Sequence, residues 1–235
     1  MPRPVTVRAI YEHLLAHYGL QRWWPADSAF EVIIGAILTQ NTSWKNVEKA
    51  IANLRAAHLL TLRRLAKIST AELARLIRPA GYFNQKAKKL HAFLDYLSVN
   101  YQLDLNLLFQ RPTRQLRREL LSIWGIGEET ADSICLYAAQ RPVFVVDAYT
   151  RRLFSRLGHV EEKVSYAQLQ SFLTKRLPSD AQLFNEYHAL IVTHAKETCR
   201  KQEPLCSRCV LRAGCAYGRL GDASAHSRAG PIPIP

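Results

Sequence analysis

Residues 121–137 read LSIWGIGEETADSICLY. An apolar run ends at Trp124, Gly125-Ile126-Gly127 follows, and a helical pattern resumes at once. Glycines carry no side chain, so their backbone can approach a phosphate closely, and the amides that open the next helix can donate to it. Yet Glu128 and Glu129 come next, two carboxylates in a chain whose formal net charge is +13. A G-x-G alone is weak evidence, because most such pairs are merely turns. What surrounds this one decides its meaning.

The chain has 235 residues, enough for one large domain or two modest ones with buried cores. Thirty-two Lys and Arg face nineteen Asp and Glu, a balance that points to a polyanionic partner such as nucleic acid. The positive charge is spread through clusters such as LRRLAK, KAKKL and RQLRREL, as on a charged face of a folded body. No apolar run approaches the roughly 18 residues that cross a bilayer. The start, MPRPVTVRAIYEHLLAHYGL, lacks the continuous apolar core of a signal peptide. The expectation is a soluble monomer in the cytoplasm, on the nucleoid if the source is bacterial, with no membrane partner.

Apolar residues recur three and four apart in 30–38, 46–60, 70–78, 84–97, 113–123, 129–139, 149–157, 165–176 and 180–197. Ser69 or Thr70, Asn84, and Ser179 or Asp180 are expected N-caps. The one β-rich run, PVFVV at 142–146, has no partner strand and reads as a buried extended connector leading into Asp147. The predicted fold is all-α, with ten to twelve helices and short loops. Residues 218–235, rich in Gly, Ser and Pro, are expected to form a mobile tail.

Four of the five cysteines, Cys199, Cys206, Cys209 and Cys215, are spaced C-x6-C-x2-C-x5-C. A disulfide framework fits poorly with a chain lacking an export signal. Four thiolates in so short a segment suit an iron–sulfur cluster, or zinc, although zinc sites usually pair two short knuckles and only one is present. Cys135 lies in a helical apolar stripe and reads as core.

Taken together, the WGIGEETADSI hairpin, Asp147 at the end of RPVFVVD and the cysteine spacing, in this order, resemble the endonuclease III superfamily of DNA glycosylases. The stretch AFEVIIGAILTQNTSWKNVEKAI resembles that family's substrate-side helix and loop. Within the superfamily, WWPADSAFEVIIGAILTQNTSW is similar to the endonuclease-III-related branch that includes bacterial 3-methyladenine DNA glycosylases. The match covers roughly residues 5–217.

The resemblance implies a two-lobed helix–hairpin–helix glycosylase fold with DNA crossing the mouth of a cleft. One lobe would be a six-helix barrel over 26–135, with the hairpin at about 112–135. The other would join 1–25 to 136–217, where the four cysteines would hold a [4Fe-4S] cluster. The partner implied is double-stranded DNA containing a damaged base. Trp124, Gly125, Ile126, Gly127 and Thr130 would form the phosphate-binding hairpin, which holds DNA without reading sequence.

Asp147 would be the catalytic carboxylate, stabilising the oxocarbenium-like state as the N-glycosidic bond breaks; it also reads as an N-cap for AYTRRLFSRLG. In the family's bifunctional members the second residue after the hairpin's last glycine is a lysine that attacks the sugar. Here that position is Glu129, which cannot form an imine, so a monofunctional enzyme is implied. Glu128 reads as a helix-capping charge, and Glu129 as either that or a pocket residue. Trp23, Trp24 and Trp44 read either as core or as faces for a flipped, alkylated and cationic purine. Gln40 and Asn41 are candidates for filling the gap left by the flipped base. Lys196 is expected near the pocket, or on a phosphate. Rival readings are a glycosylase for mismatched or deaminated bases, a lyase using another lysine, a non-catalytic DNA-binding protein, and an electron-transfer protein.

Overall fold

A computed structural model describes residues 5–24 and 26–219. The helices among them include α1 Val7–Tyr18, α2 Ala29–Leu38, α3 Trp44–Ala56, α4 Leu62–Leu65, α5 Thr70–Leu76, α6 Phe83–Tyr101, α7 Leu105–Phe109, α8 Thr113–Ser122, α9 Glu128–Ser133, α10 Ala148–Leu157, α11 Tyr166–Thr174 and α12 Ala181–Glu197. No strand occurs among the described residues. None of the helices is long and apolar enough to cross a membrane.

The chain divides into two compact units, one from Trp24 to Val143 and one formed by the chain up to Trp23 and from Phe144 onward. The expected boundaries were 25/26 and 135/136. The later switch has a packing reason, since Val143 belongs to the same buried core as Ile134 and Cys135. Most of the expected tail lies outside the described residues. Gly218 and Arg219 do not behave as tail: they continue a helical turn, and Gly218 N–H donates to Cys215 Sγ at 3.4 Å.

In the Trp24–Val143 unit, α2 is buried on every side from Phe30 to Leu38, as a helix at the centre of a bundle must be. Ser28 caps it by accepting from Glu31 N–H. Around it α3 turns in Val47, Ala50, Ile51 and Leu54, and α6 turns in Ala87, Leu90, Leu94, Leu97 and Tyr101. Each such valine, leucine or isoleucine contributes about 1.5–3 kcal/mol on burial. Ser69 caps α5 as expected, but α6 starts at Phe83 with Tyr82 as its cap, so Asn84 lies inside the helix. The pattern over 129–139 is not one α-helix either. After α9, Ile134–Ala138 widens into a π-helical turn closed by Ala139 N–H on Ile134 O at 3.0 Å. Cys135 is buried there, its thiol pushed up to about 12 by burial and the charge of Asp132.

In the other unit, α10 packs against α12, and α12 against α1. Phe144 meets Phe184 and Tyr187, and Tyr187 also meets Tyr11, its hydroxyl donating to Val7 O at 2.8 Å. The run 142–146 belongs to no helix or strand, and Val143 to Val146 are buried.

Candidate active site

The hairpin is built from α8, a turn and α9. Leu116 and Leu120 anchor the first helix, Ile123 and Ile126 are buried beneath the turn, and Ile126 N–H bonds Ile123 O at 3.1 Å. Gly125 has φ +84°, and a Cβ there would strike the Lys89 side chain, so glycine is required twice over. Gly127 has an ordinary φ, and a Cβ there would meet nothing within 4 Å. Its face is open, with Trp124 exposed beside it in sequence. Arg117 on α8 binds Asp132 on α9 through two hydrogen bonds of 2.5 and 3.1 Å and lies 3.8 Å from Glu128, fastening the two helices together. Glu129 is exposed in the first turn of α9.

The end of α2 is tied to this hairpin. Gln40 donates through Nε2 to Gly125 O at 3.2 Å and to Thr130 Oγ1 at 2.9 Å, and its Oε1 accepts from Lys89. Buried Lys86 donates to Leu38 O and Ala80 O, fixing the last turn of α2; burial, with Lys89 nearby, lowers its pKa to about 8. Gln40 is thus a strut between hairpin and loop. Asn41, exposed with φ +53°, is the residue that projects.

Of the three tryptophans, two come together. Trp24 stands edge-on to Trp44 with centroids 4.9 Å apart, and Tyr137 lies 5.0 Å from Trp24. Gly35 makes room for them: a Cβ on it would sit 3.0 Å from Trp24 and 3.4 Å from Trp44. Trp23 belongs to the other unit, where it lines a cavity with Tyr11, Asn185 and Glu186. Tyr137, carried by the π-helical turn, was not singled out from the sequence.

Asp147 caps α10. Its Oδ1 accepts from Thr150 N–H at 2.7 Å and from the Thr150 hydroxyl at 2.9 Å. The buried run that delivers it is held by α11, where Gln170 donates to Phe144 O and Tyr166 accepts from Val146 N–H. Across from it, His188 Nε2 on α12 lies 3.5 Å from Oδ2. Burial alone would raise the Asp147 pKa, but His188 and the Thr150 donors outweigh it and hold the carboxyl below its ordinary value. His188 escaped the sequence reading, because a histidine in an apolar helical stripe looks like core. Lys196 is exposed on the last turn of α12, its ammonium 6.0 Å above the ring of Tyr149.

Cys199, Cys206, Cys209 and Cys215 line one cavity together with His194, Arg156, Leu157 and Tyr217. Burial pushes the Cys209 thiol up to about 11, and Cys199, Cys215 and Cys206 add to the shift, so the four sulfurs feel one another. Among the described residues, however, no three His, Cys, Asp or Glu side chains are grouped to hold a single metal ion. Arg156 lies over Tyr217, donates to Cys199 Sγ at 3.4 Å, and binds the carbonyls of Cys199, Arg200 and Lys201.

The family model for the HhH-GPD superfamily base excision DNA repair protein matches residues 34–179. The Methanocaldococcus jannaschii protein MJ1434, whose name marks it as a candidate DNA repair glycosylase, is 50% identical over 207 residues, covering 88% of this chain and 94% of its own. Endonuclease III of Sulfolobus acidocaldarius is 30% identical over 81% of this chain and 82% of its own. Among solved structures, an H. pylori 3-methyladenine DNA glycosylase bound to 1,N6-ethenoadenine superposes with a TM-score of 0.73 at 31% identity, covering 82% of this chain and 98% of that one. A trapped endonuclease III–DNA complex shares the fold, with a TM-score of 0.80 at 21% identity over 92% of this chain and 97% of that one. The chain belongs to the HhH-GPD superfamily of base excision DNA repair proteins, in the glycosylase branch related to endonuclease III, and is a DNA N-glycosylase.

Proposed function

We propose that this glycosylase is monofunctional and removes alkylated purines from double-stranded DNA by hydrolysis. The observation that carries the first half is Glu129, an exposed carboxylate in the first turn after the hairpin, where the lyase pathway needs an amine. Asp147 is the catalytic carboxylate. Held anionic at a helix N-terminus, it stabilises the positive charge that builds on the sugar and orients the attacking water. An N3-alkylated purine is already a good leaving group and carries positive charge, which suits the aromatic faces of Trp24, Trp44 and Tyr137. The H. pylori relative bound to an ethenoadenine supports the same substrate class.

The hairpin around Gly125 and Gly127 grips phosphate through backbone amides, and Asn41 fills the gap left by the flipped base. Thr130 and Gln40, engaged with each other, serve this by positioning the turn. Lys196, beside Tyr149, meets a phosphate. The four cysteines suit a [4Fe-4S] cluster better than zinc. They border one cavity, and Arg156 and the Gly218 N–H supply donors to sulfur. Such a cluster, held by Cys199, Cys206, Cys209 and Cys215, would order the loop carrying Arg200 and Lys201. The test is a panel of duplexes, each with one 3-methyladenine, 7-methylguanine, 1,N6-ethenoadenine, 8-oxoguanine, or uracil or thymine opposite guanine. Release confined to the alkylated purines supports the proposal; preference for the mismatched pyrimidines contradicts it.

A further inference from the structure

Both hydrogen bonds that α10 gives Asp147 go to one oxygen, Oδ1. They fix the cap but leave the plane of the carboxylate to be set by something else. The group facing Oδ2 is His188 Nε2, at 3.5 Å, and both side chains are largely buried, 8% exposed for His188 and 12% for Asp147. His188 lies on α12 with buried Phe184, Ile191 and Ala195 four before, three after and seven after it, so the imidazole stands in an apolar stripe. A polar ring is costly there unless it has a partner, and the carboxylate is the charged group the geometry offers. The separation is long for a settled hydrogen bond, as contacts of catalytic groups often are before substrate arrives.

We infer that His188 is a positioning residue: from α12 it sets the orientation of Asp147 Oδ2 and maintains the carboxylate as the anion that faces the developing sugar cation. The inference rests on Asp147 being the catalytic carboxylate. It assigns the task to a helix separate from the one Asp147 caps, so the geometry is fixed from two sides. The groups α11 brings to the adjoining chain, the Tyr166 hydroxyl and the Gln170 amide, bind backbone, and His188 is the side chain that faces Oδ2. Misplacing a reacting group by about 1 Å costs on the order of 10²-fold in rate.

The experiment compares wild type with His188→Leu, His188→Gln and Asp147→Asn, and with the double variant Asp147→Asn/His188→Leu. Single-turnover base release, lesion-duplex affinity and the ¹³C titration of the Asp147 carboxyl are measured. His188→Leu should slow release by about 10²-fold with affinity nearly unchanged. His188→Gln, which keeps an N–H, should recover much of that loss, and the Asp147 titration should move up in His188→Leu. In the Asp147→Asn background, removing His188 should change the residual rate little. Wild-type rates in His188→Leu, or a loss that only tracks the folded fraction and is equal in His188→Gln, would overturn the inference. A fully active Asp147→Asn would instead overturn the catalytic reading of Asp147. The titration then judges the pairing alone: an unmoved Asp147 carboxyl in His188→Leu refutes it.

Discussion

Replacing Asp147 by Asn separates its two tasks. As a helix cap Asn is about as good as Asp, and its amide oxygen can keep the 2.7 Å bond from Thr150 N–H, so at neutral pH the melting temperature should fall only by the share of stability that the carboxylate's charge contributes. The charge is lost. A unit charge about 4 Å from the sugar at an effective dielectric constant of about 20 contributes roughly 4 kcal/mol, which is about 10³-fold in rate. Asp147→Ala should lose the rate to a similar extent and the cap as well, about 1 kcal/mol of stability. The assay is single-turnover base release from a duplex carrying one alkylated purine, alongside thermal unfolding and binding to the same duplex. Acid unfolding gives a second check. The folded carboxyl sits below its ordinary 3.8, so its ionisation stabilises the fold above that pH, and the contribution fades as pH falls through the folded value. The stability difference between wild type and Asp147→Asn should therefore close at low pH. An Asp147→Asn protein with normal stability and a rate within a few-fold of wild type would refute the reasoning.

Gly127→Leu should leave thermal stability intact, since its Cβ meets open space, yet weaken binding to damaged and undamaged duplexes alike; unchanged affinity would remove the hairpin as phosphate anchor. Gly125→Ala should destabilise the fold by about 1 kcal/mol or more, because φ is +84° and Lys89 fills the space, and a thermal scan reads this directly. Gly35→Val should displace Trp24 and impair release of alkylated bases more than general DNA affinity; equal loss of both would mark the aromatic group as packing alone. Cys206→Ala should yield colourless protein where wild type is brown with about four irons, and should weaken DNA binding more than it alters the pocket; stoichiometric zinc in wild type would contradict the cluster.

What the sequence made legible was local. The hairpin glycines, the caps Ser69, Asp147 and Asp180, the buried run before Asp147 and the spacing of the four cysteines are all short-range patterns, and each occupies an understandable place in the fold. What escaped was carried by contacts between distant segments. His188 reads as core until α12 is seen to face the cap of α10. Gln40 reads as a projecting residue until its amide is found on Thr130 and Gly125. The π-helical turn at Ile134–Ala138 has the same apolar spacing as an ordinary helix, so Tyr137 could not be aimed at Trp24 in advance. Adjacent Trp23 and Trp24 read alike in the sequence, as core or as faces for the flipped base, but the unit boundary falls between them.

The most direct measurement is borohydride reduction of the wild-type protein with a damaged duplex during turnover, with strand integrity followed in parallel. With Glu129 in place of the lyase lysine, base release should leave an abasic site in an intact strand and no trapped protein–DNA adduct, breaks appearing only after alkali. Efficient trapping, abolished by changing one lysine, would contradict the account and show that the lyase step has moved to another amine.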